Sequence, residues 1–176
     1  MGRRAVFLDR DGVLVETIVR GNRAFAPASL GEFRLEAVAG DQVARLGRSG
    51  LLPIVVTNQP EVARGIIAAE TLRRMHERLA AAVPVEDIFV CVHAAADRCE
   101  CRKPKPGMLR AAAEKWGIDL ERSFIIGDRA SDMDAGYAVG CYTILIERPY
   151  SDCERADERV GDLASAVSAV LKKLEA

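Results

Sequence analysis

Asp9 and Asp11 stand two positions apart, directly after the apolar run Ala5-Val6-Phe7-Leu8 and ahead of Gly12. In an extended segment the side chains at i and i+2 share a direction, so both carboxylates can face one point. Like charges that close raise a pKa unless a cation neutralises them. An all-oxygen site suits a hard divalent ion such as Mg2+, which keeps several of its waters. Asp128, in Gly127-Asp128-Arg129 after another apolar run, offers a third carboxylate. Three carboxylates with one Mg2+ leave one negative charge, so a phosphate dianion needs a further side-chain cation, and Lys103 is the candidate. Thr57 and the amides around Asn58 are donors for phosphoryl oxygens. A lone Asp after a strand is more often a turn or cap residue. The set together points to phosphoryl transfer.

A second constellation, Cys91-Val92-His93 and Cys99-Glu100-Cys101, gathers three thiols and an imidazole within eleven positions. Thiolates and imidazole suit tetrahedral Zn2+, and a closed four-ligand set makes that metal structural. The alternative is a buried strand cysteine at Cys91, surface thiols at Cys99 and Cys101, and an incidental His93. The loop ends beside Arg102-Lys103, so closing it on zinc would hold both cations over the phosphate site. His76, the other histidine, reads as a helix-surface residue. Cys141 reads as a small buried hydrophobe, and Cys153 has no assigned role.

The elements that must position these residues alternate. Strands are expected at Ala5–Leu8, Leu52–Val56, Asp87–Val92, Ser123–Ile126 and Tyr142–Ile146. Helices are expected at Gly40–Ser49, Thr71–Ala82, from Pro106 to Gly117, at Ser131–Val139, and after an Asp162 cap. Strand-helix alternation implies an α/β fold, a doubly wound, Rossmann-like parallel sheet with helices on both faces. In such sheets ligands bind beyond the carboxyl ends of the strands, which is where Asp9, Asp11, Thr57, Asn58 and Asp128 fall. The chain of 176 residues is expected to be a single domain spanning 1–176, with a zinc loop at 91–101. No internal repeat or long linker is visible. Lys plus Arg number 25 and Asp plus Glu 26, a net charge of −1 that gives no bulk electrostatic footprint for nucleic acid or membrane. No run approaches ~18 apolar residues, and the start lacks a signal peptide's apolar stretch, so a cytoplasmic protein is expected.

Four segments, in order, resemble the motifs of the haloacid dehalogenase-like phosphatases: Asp9-Arg10-Asp11-Gly12-Val13-Leu14, Val55-Val56-Thr57-Asn58-Gln59, Arg102-Lys103-Pro104 and Gly127-Asp128-Arg129-Ala130-Ser131-Asp132. The likeness spans Val6 to about Ile146. It implies an enzyme, a hydrolase of phosphoric monoesters that works through a covalent aspartyl-phosphate on Asp9. Asp11 would protonate the leaving oxygen and then activate water. Mg2+ would be held by the Asp9 side chain, the Asp11 backbone carbonyl and the Asp128 carboxylate. Thr57 and Lys103 would stabilise the phosphoryl group, with Asp132 orienting its loop. Too little chain lies between Gly12 and Leu52 for a cap domain, so an open site is expected.

The zinc loop narrows the resemblance to two groups. These are the D-glycero-D-manno-heptose 1,7-bisphosphate 7-phosphatases of lipopolysaccharide or S-layer heptose synthesis, and the histidinol-phosphate phosphatases. The run from Thr57-Asn58-Gln59 to Arg64-Gly65 and the run from Cys101-Arg102-Lys103 to Met108 favour the heptose group. On that likeness Asn58, Gln59, Arg102 and Arg129 join Thr57 and Lys103 in binding substrate or phosphate. The expected partner is a small phosphorylated sugar or similar metabolite, with no nucleic acid or membrane, and the chain is expected to be a monomer. The sequence departs from the pattern at Glu61, where Gly is usual, at Pro60, which removes an amide donor, and at Arg129, where Lys is common. Glu16–Ala26 does not match the family's substrate loop. Its Arg20 and Arg23 are either grips for a distal phosphate or solvated charges.

Overall fold

The computed structural model describes residues 2–21 and 23–175; the expected domain limits at 1 and 176 lie outside the described residues. In chain order its strands and helices are β1 (Ala5–Leu8), β2 (Ile18–Arg20), β3 (Arg23–Phe25), α1 (Ala39–Arg48), β4 (Leu52–Asn58), α2 (Ala69–Ala82), β5 (Asp87–Cys91), α3 (Gly107–Trp116), β6 (Phe124–Gly127), α4 (Ala130–Tyr137), β7 (Tyr142–Ile146), β8 (Glu158–Val160) and α5 (Leu163–Glu175). Short 3-10 turns lie at Ala95–Asp97 and Leu120–Arg122.

β1 is apolar at every position because both of its faces are covered. Val6 and Leu8 enter one core, with Val43 and Leu46 of α1, Met75 and Leu79 of α2, and Val167 and Val170 of α5. Ala5 and Phe7 enter the other, with Met108, Leu109 and Ala112 of α3 and Ala135 of α4. Alternation along a strand makes that division. Each fully buried large side chain, Phe7 and Leu8 among them, contributes about 1.5–3 kcal/mol, so the strand ends that carry the acids are rigidly held.

Six strands pair in parallel in the order β5-β4-β1-β6-β7-β8. The chain builds outward from β1 through β4 to β5, then crosses to the other side of β1 for β6, β7 and β8. That reversal opens the crevice where α/β sheets bind ligands. The expected doubly wound sheet is the one observed.

Three differences from expectation have local causes. β4 runs on to Asn58 because Thr57 and Asn58 still pair with Val90 and Cys91. β8 has no apolar run; it is a short edge strand paired only with β7. Within the stretch read as irregular, β2 and β3 form an antiparallel hairpin. Apart from that hairpin, α1 is the sole element between β1 and β4, so no cap domain is inserted among the described residues. Among the described residues no helix is long and apolar enough to cross a membrane.

Candidate active site

Asp9 leaves β1 with its amide bonded to the Ile126 carbonyl at 3.0 Å. Its Oδ1 accepts the Arg10 amide at 2.8 Å and lies 3.0 Å from Lys103 Nζ. No donor among the described residues reaches its Oδ2. Asp128 follows β6 and is fully buried. Its Oδ2 accepts the Tyr150 hydroxyl at 2.8 Å, its backbone carbonyl accepts the Ser151 hydroxyl at 2.6 Å, and its Oδ1 is buried without a partner. One carboxylate oxygen each of Asp9, Asp128 and Asp132 lies within 4.8 Å of the other two. Burial, then the Asp9 charge, push Asp128 up to about 8 and Asp132 up to about 6. An orphaned buried oxygen in an all-carboxylate cluster that resists ionisation fits a hard divalent cation such as Mg2+.

The third carboxylate of that cluster is Asp132, not Asp11. Side chains at i and i+2 share a direction only in an extended chain, whereas β1 ends at Leu8 and the Asp11 carboxylate is captured elsewhere. Arg10 donates to its Oδ1 from Nε at 3.1 Å and to its Oδ2 from Nη2 at 2.9 Å, and Gln59 Nε2 donates to Oδ2 at 2.7 Å. Asp132 in turn has both oxygens engaged, by Lys103 Nζ at 2.5 Å and by the Arg129 amide at 3.1 Å. It therefore orients the Arg129 turn and balances Lys103.

Sequence reasoning passed over Arg10. It is completely buried, forks onto Asp11, donates to Gln59 Oε1 at 2.8 Å, and lies 3.2 Å from His76 Nε2 and over the Phe33 ring. Its place between Asp9 and Asp11 was the one available signal. His76 is correspondingly no simple surface residue: burial, then the neighbouring Arg10 charge, lower its pKa to about 4, so the ring is neutral beside the guanidinium.

The remaining predicted residues divide into those that line the site and those behind it. A cavity of about 520 Å³ is bordered by Asp9, Asp11, Asn58, Glu61, Arg64, Arg102, Lys103 and Arg129, with Thr17 and Ala24 to Ala26 from the hairpin region. Gln59 is completely buried and its amide is spent on Asp11, Arg10 and the Thr57 hydroxyl, the last at 2.8 Å. It positions Asp11 and has no surface to offer a substrate. Thr57 is also fully buried. Asn58 donates to the Lys103 carbonyl at 3.0 Å and accepts the Lys103 amide at 3.1 Å, which pins the cation-bearing loop to the end of β4. Lys103 itself donates to Asp132 and to the Val56 carbonyl, and its Nζ pairs with Asp9 Oδ1 at 3.0 Å. Arg129 lies over the Tyr150 ring and donates to the Ala24 carbonyl. Arg20 and Arg23 are exposed and border no part of the cavity. Of their two readings, the surface one describes their position.

Gly12 makes the site possible. Its φ is +85°, and a Cβ there would lie 2.1 Å from Asp128 Oδ2, so only glycine lets the loop after β1 meet the end of β6.

The sulfur and imidazole groups converge as well. Cys91 Sγ lies 3.6 Å from Cys99 Sγ and 3.6 Å from His93 Nδ1, Cys101 Sγ lies 3.5 Å from Cys99 Sγ, and His93 Nδ1 is 3.2 Å from Cys101 Sγ. A zinc tetrahedron with ~2.3 Å Zn–S bonds has edges of about 3.8 Å. The two sulfur–sulfur separations given above lie within a few tenths of an ångström of that edge, and all four donors fall within 4.8 Å of one another. The Arg102 guanidinium donates to the His93 carbonyl, tying the cluster to the cavity wall.

A HAD-hydrolase-like family model matches residues 100–173. The chain is 39% identical over 154 residues to a D-glycero-beta-D-manno-heptose-1,7-bisphosphate 7-phosphatase of Pseudomonas putida, covering 82% of each chain. It is 33% identical to the histidine biosynthesis bifunctional protein HisB of Campylobacter jejuni, covering 76% of this chain and 38% of that one. The crystal structure of D,D-heptose 1,7-bisphosphate phosphatase from B. bronchiseptica, complexed with magnesium and phosphate, superposes with a TM-score of 0.82 at 28% identity, covering 97% of this chain and 99% of that one. Sheet, acid cluster and relatives agree, and the chain belongs to the haloacid dehalogenase-like phosphatases.

Proposed function

We propose that the chain is a Mg2+-dependent phosphomonoesterase that removes the 7-phosphate of D-glycero-D-manno-heptose 1,7-bisphosphate through an aspartyl-phosphate on Asp9. The observation that carries the chemistry is the pairing of a donor-free Asp9 oxygen with the orphaned Asp128 oxygen beside a cation-lined cavity. The relatives that act on heptose bisphosphate support the substrate.

Mg2+ would be held by Asp9, the Asp11 backbone carbonyl and Asp128, where it would neutralise the carboxylates and polarise the phosphoryl group. A carboxylate oxygen of Asp9 attacks phosphorus as the bond from phosphorus to the sugar oxygen breaks. Asp11, clamped by Arg10 and Gln59 and in part exposed to solvent, takes up a proton from water and gives it to that leaving oxygen. Water then attacks phosphorus, Asp11 takes the proton, and the Asp9–phosphorus bond breaks to release inorganic phosphate. Lys103, 3.0 Å from Asp9, screens the charge that builds on the phosphoryl oxygens. Arg102, Arg129 and Arg64 on the cavity wall attract the doubly charged ester. Cys91, His93, Cys99 and Cys101 would hold Zn2+, which would keep Arg102 and Lys103 in register. The same reading has the enzyme act as a cytoplasmic monomer.

The test is Mg2+-dependent phosphate release from heptose 1,7-bisphosphate, histidinol phosphate and a 3′-phosphorylated oligonucleotide at equal concentration. Heptose bisphosphate should give the highest kcat/KM; a higher value for either competitor overturns the substrate assignment. One observation favours histidinol phosphate as a second reading. Glu61 lines the cavity with a buried Oε2 that has no hydrogen-bond partner. It would attract an amine and repel a second phosphate. Under the heptose assignment, Glu61→Gly should raise kcat/KM for the bisphosphate, by about tenfold for each ~1.4 kcal/mol of repulsion removed.

A further inference from the structure

We propose that Tyr150 is a positioning residue for the magnesium seat: by occupying Oδ2 of Asp128 it presents Oδ1 to the ion. This rests on the assignment of Asp9 and Asp128 as magnesium ligands.

Tyr150 lies beyond β7, outside all four motif segments, and borders no part of the cavity. Its hydroxyl reaches the reacting groups through Asp128, while its ring underlies Arg129 of the cavity wall, a contact that Tyr150→Phe preserves. A carboxylate can offer a metal either oxygen or both. Here the two oxygens are unlike: Oδ2 receives the phenol proton at 2.8 Å, and Oδ1 is buried and free. Fixing the outer oxygen of a ligating carboxylate fixes the rotation of the group, and partners of this kind set metal affinity.

The phenol is itself held. Its single proton goes to Asp128, so the Thr17 hydroxyl, 3.2 Å away, donates to the phenol oxygen. The Arg129 guanidinium lies 5.2 Å over the ring centre. On either side of Tyr150 in the chain, Arg148 donates to the Gly12 carbonyl at 2.9 Å and Ser151 to the Asp128 carbonyl at 2.6 Å. A Cβ on Gly12 would lie 2.8 Å from the phenol oxygen, so the loop after β1, the end of β6 and the loop after β7 meet at this hydroxyl. The chain Thr17 to Tyr150 to Asp128 also starts beside the hairpin that borders the cavity.

The experiment measures Mg2+ binding without substrate, by calorimetric titration and by the Mg2+-induced rise in Tm, and then the Mg2+ dependence of phosphate release. Tyr150→Phe should weaken Mg2+ binding by roughly 10- to 100-fold, while KM for the sugar phosphate at saturating Mg2+ stays within about twofold of wild type. Thr17→Val leaves the phenol proton in place but removes its support, and should weaken Mg2+ binding by a smaller factor, about two- to threefold. Tyr142→Phe, which alters a phenol bonded to Glu158, should leave Mg2+ binding unchanged. If Tyr150→Phe lowers Tm but binds Mg2+ as wild type does, Tyr150 is merely structural and the proposal is overturned. If that variant does not fold, unchanged binding by Thr17→Val overturns it equally. Wild-type protein that shows no saturable Mg2+ binding would overturn both the metal site and the role of Tyr150.

Discussion

Arg10→Lys isolates what the buried guanidinium does, because it keeps the charge and removes the fork. Arg10 makes four polar contacts, two to Asp11 and one each to Gln59 and His76. One ammonium at the end of a flexible stem can replace about half of them. Each lost hydrogen bond to or from a charged group costs about 1.5–3 kcal/mol. Asp11 keeps some access to water, with 16% of its side chain exposed, so the net loss sits at the low end, roughly 3 kcal/mol. For a domain of this size that lowers Tm by about 6–12 °C. The effect on turnover is separate: an acid released from a two-point clamp and displaced by ~1 Å loses about 100-fold in kcat. KM should change little, since Arg10 is completely buried and meets no substrate. Thermal melts followed by circular dichroism give the first quantity, and steady-state phosphate release at saturating Mg2+ gives the second. A variant with kcat within about threefold of wild type would refute the argument that this clamp, and not the loop backbone, aims Asp11.

Asp9→Asn should abolish turnover while the chain stays folded; retained phosphate release would exclude Asp9 as the nucleophile. One zinc per chain should be found by metal analysis of protein prepared without chelators, and stripping it should lower Tm and raise KM together through Arg102 and Lys103; no zinc, or a chelator without effect on either, counts against the closed four-ligand site. His76 stays neutral in the fold down to about 4, against an ordinary 6.5, whereas the unfolded chain takes up the proton first. Its contribution is thus present above about 6.5 and lost as pH falls toward 4. His76→Gln, which keeps an acceptor for Arg10 and does not titrate, should gain Tm relative to wild type as pH drops across that window, and equal shifts for the two proteins would contradict this.

The unequal legibility of the residues follows from the range of the forces involved. β1 could be read directly, since a strand buried on both faces must be apolar throughout, and Ala5 to Leu8 is. β8 and the β2–β3 hairpin could not, because short half-exposed strands carry no apolar run. Their pairing comes from neighbours distant in the chain or from a tight turn. The cysteine and histidine cluster was legible because thiols and an imidazole so close in sequence have few other uses.

Residue types and spacing by themselves determined the parallel α/β sheet, the gathering of Cys91, His93, Cys99 and Cys101, and the place of Asp9 at the first strand end. Local pattern suffices where burial or chemistry leaves one option. Only the tertiary structure decided how the charges pair: Asp11 with Arg10 and Gln59, Asp132 with Lys103, and Asp128 with Tyr150. Partners in such pairs are up to 48 positions apart, and no local preference selects among them. The crossing of strands at β1 sets the distances, and the need to satisfy each buried charge sets the choice.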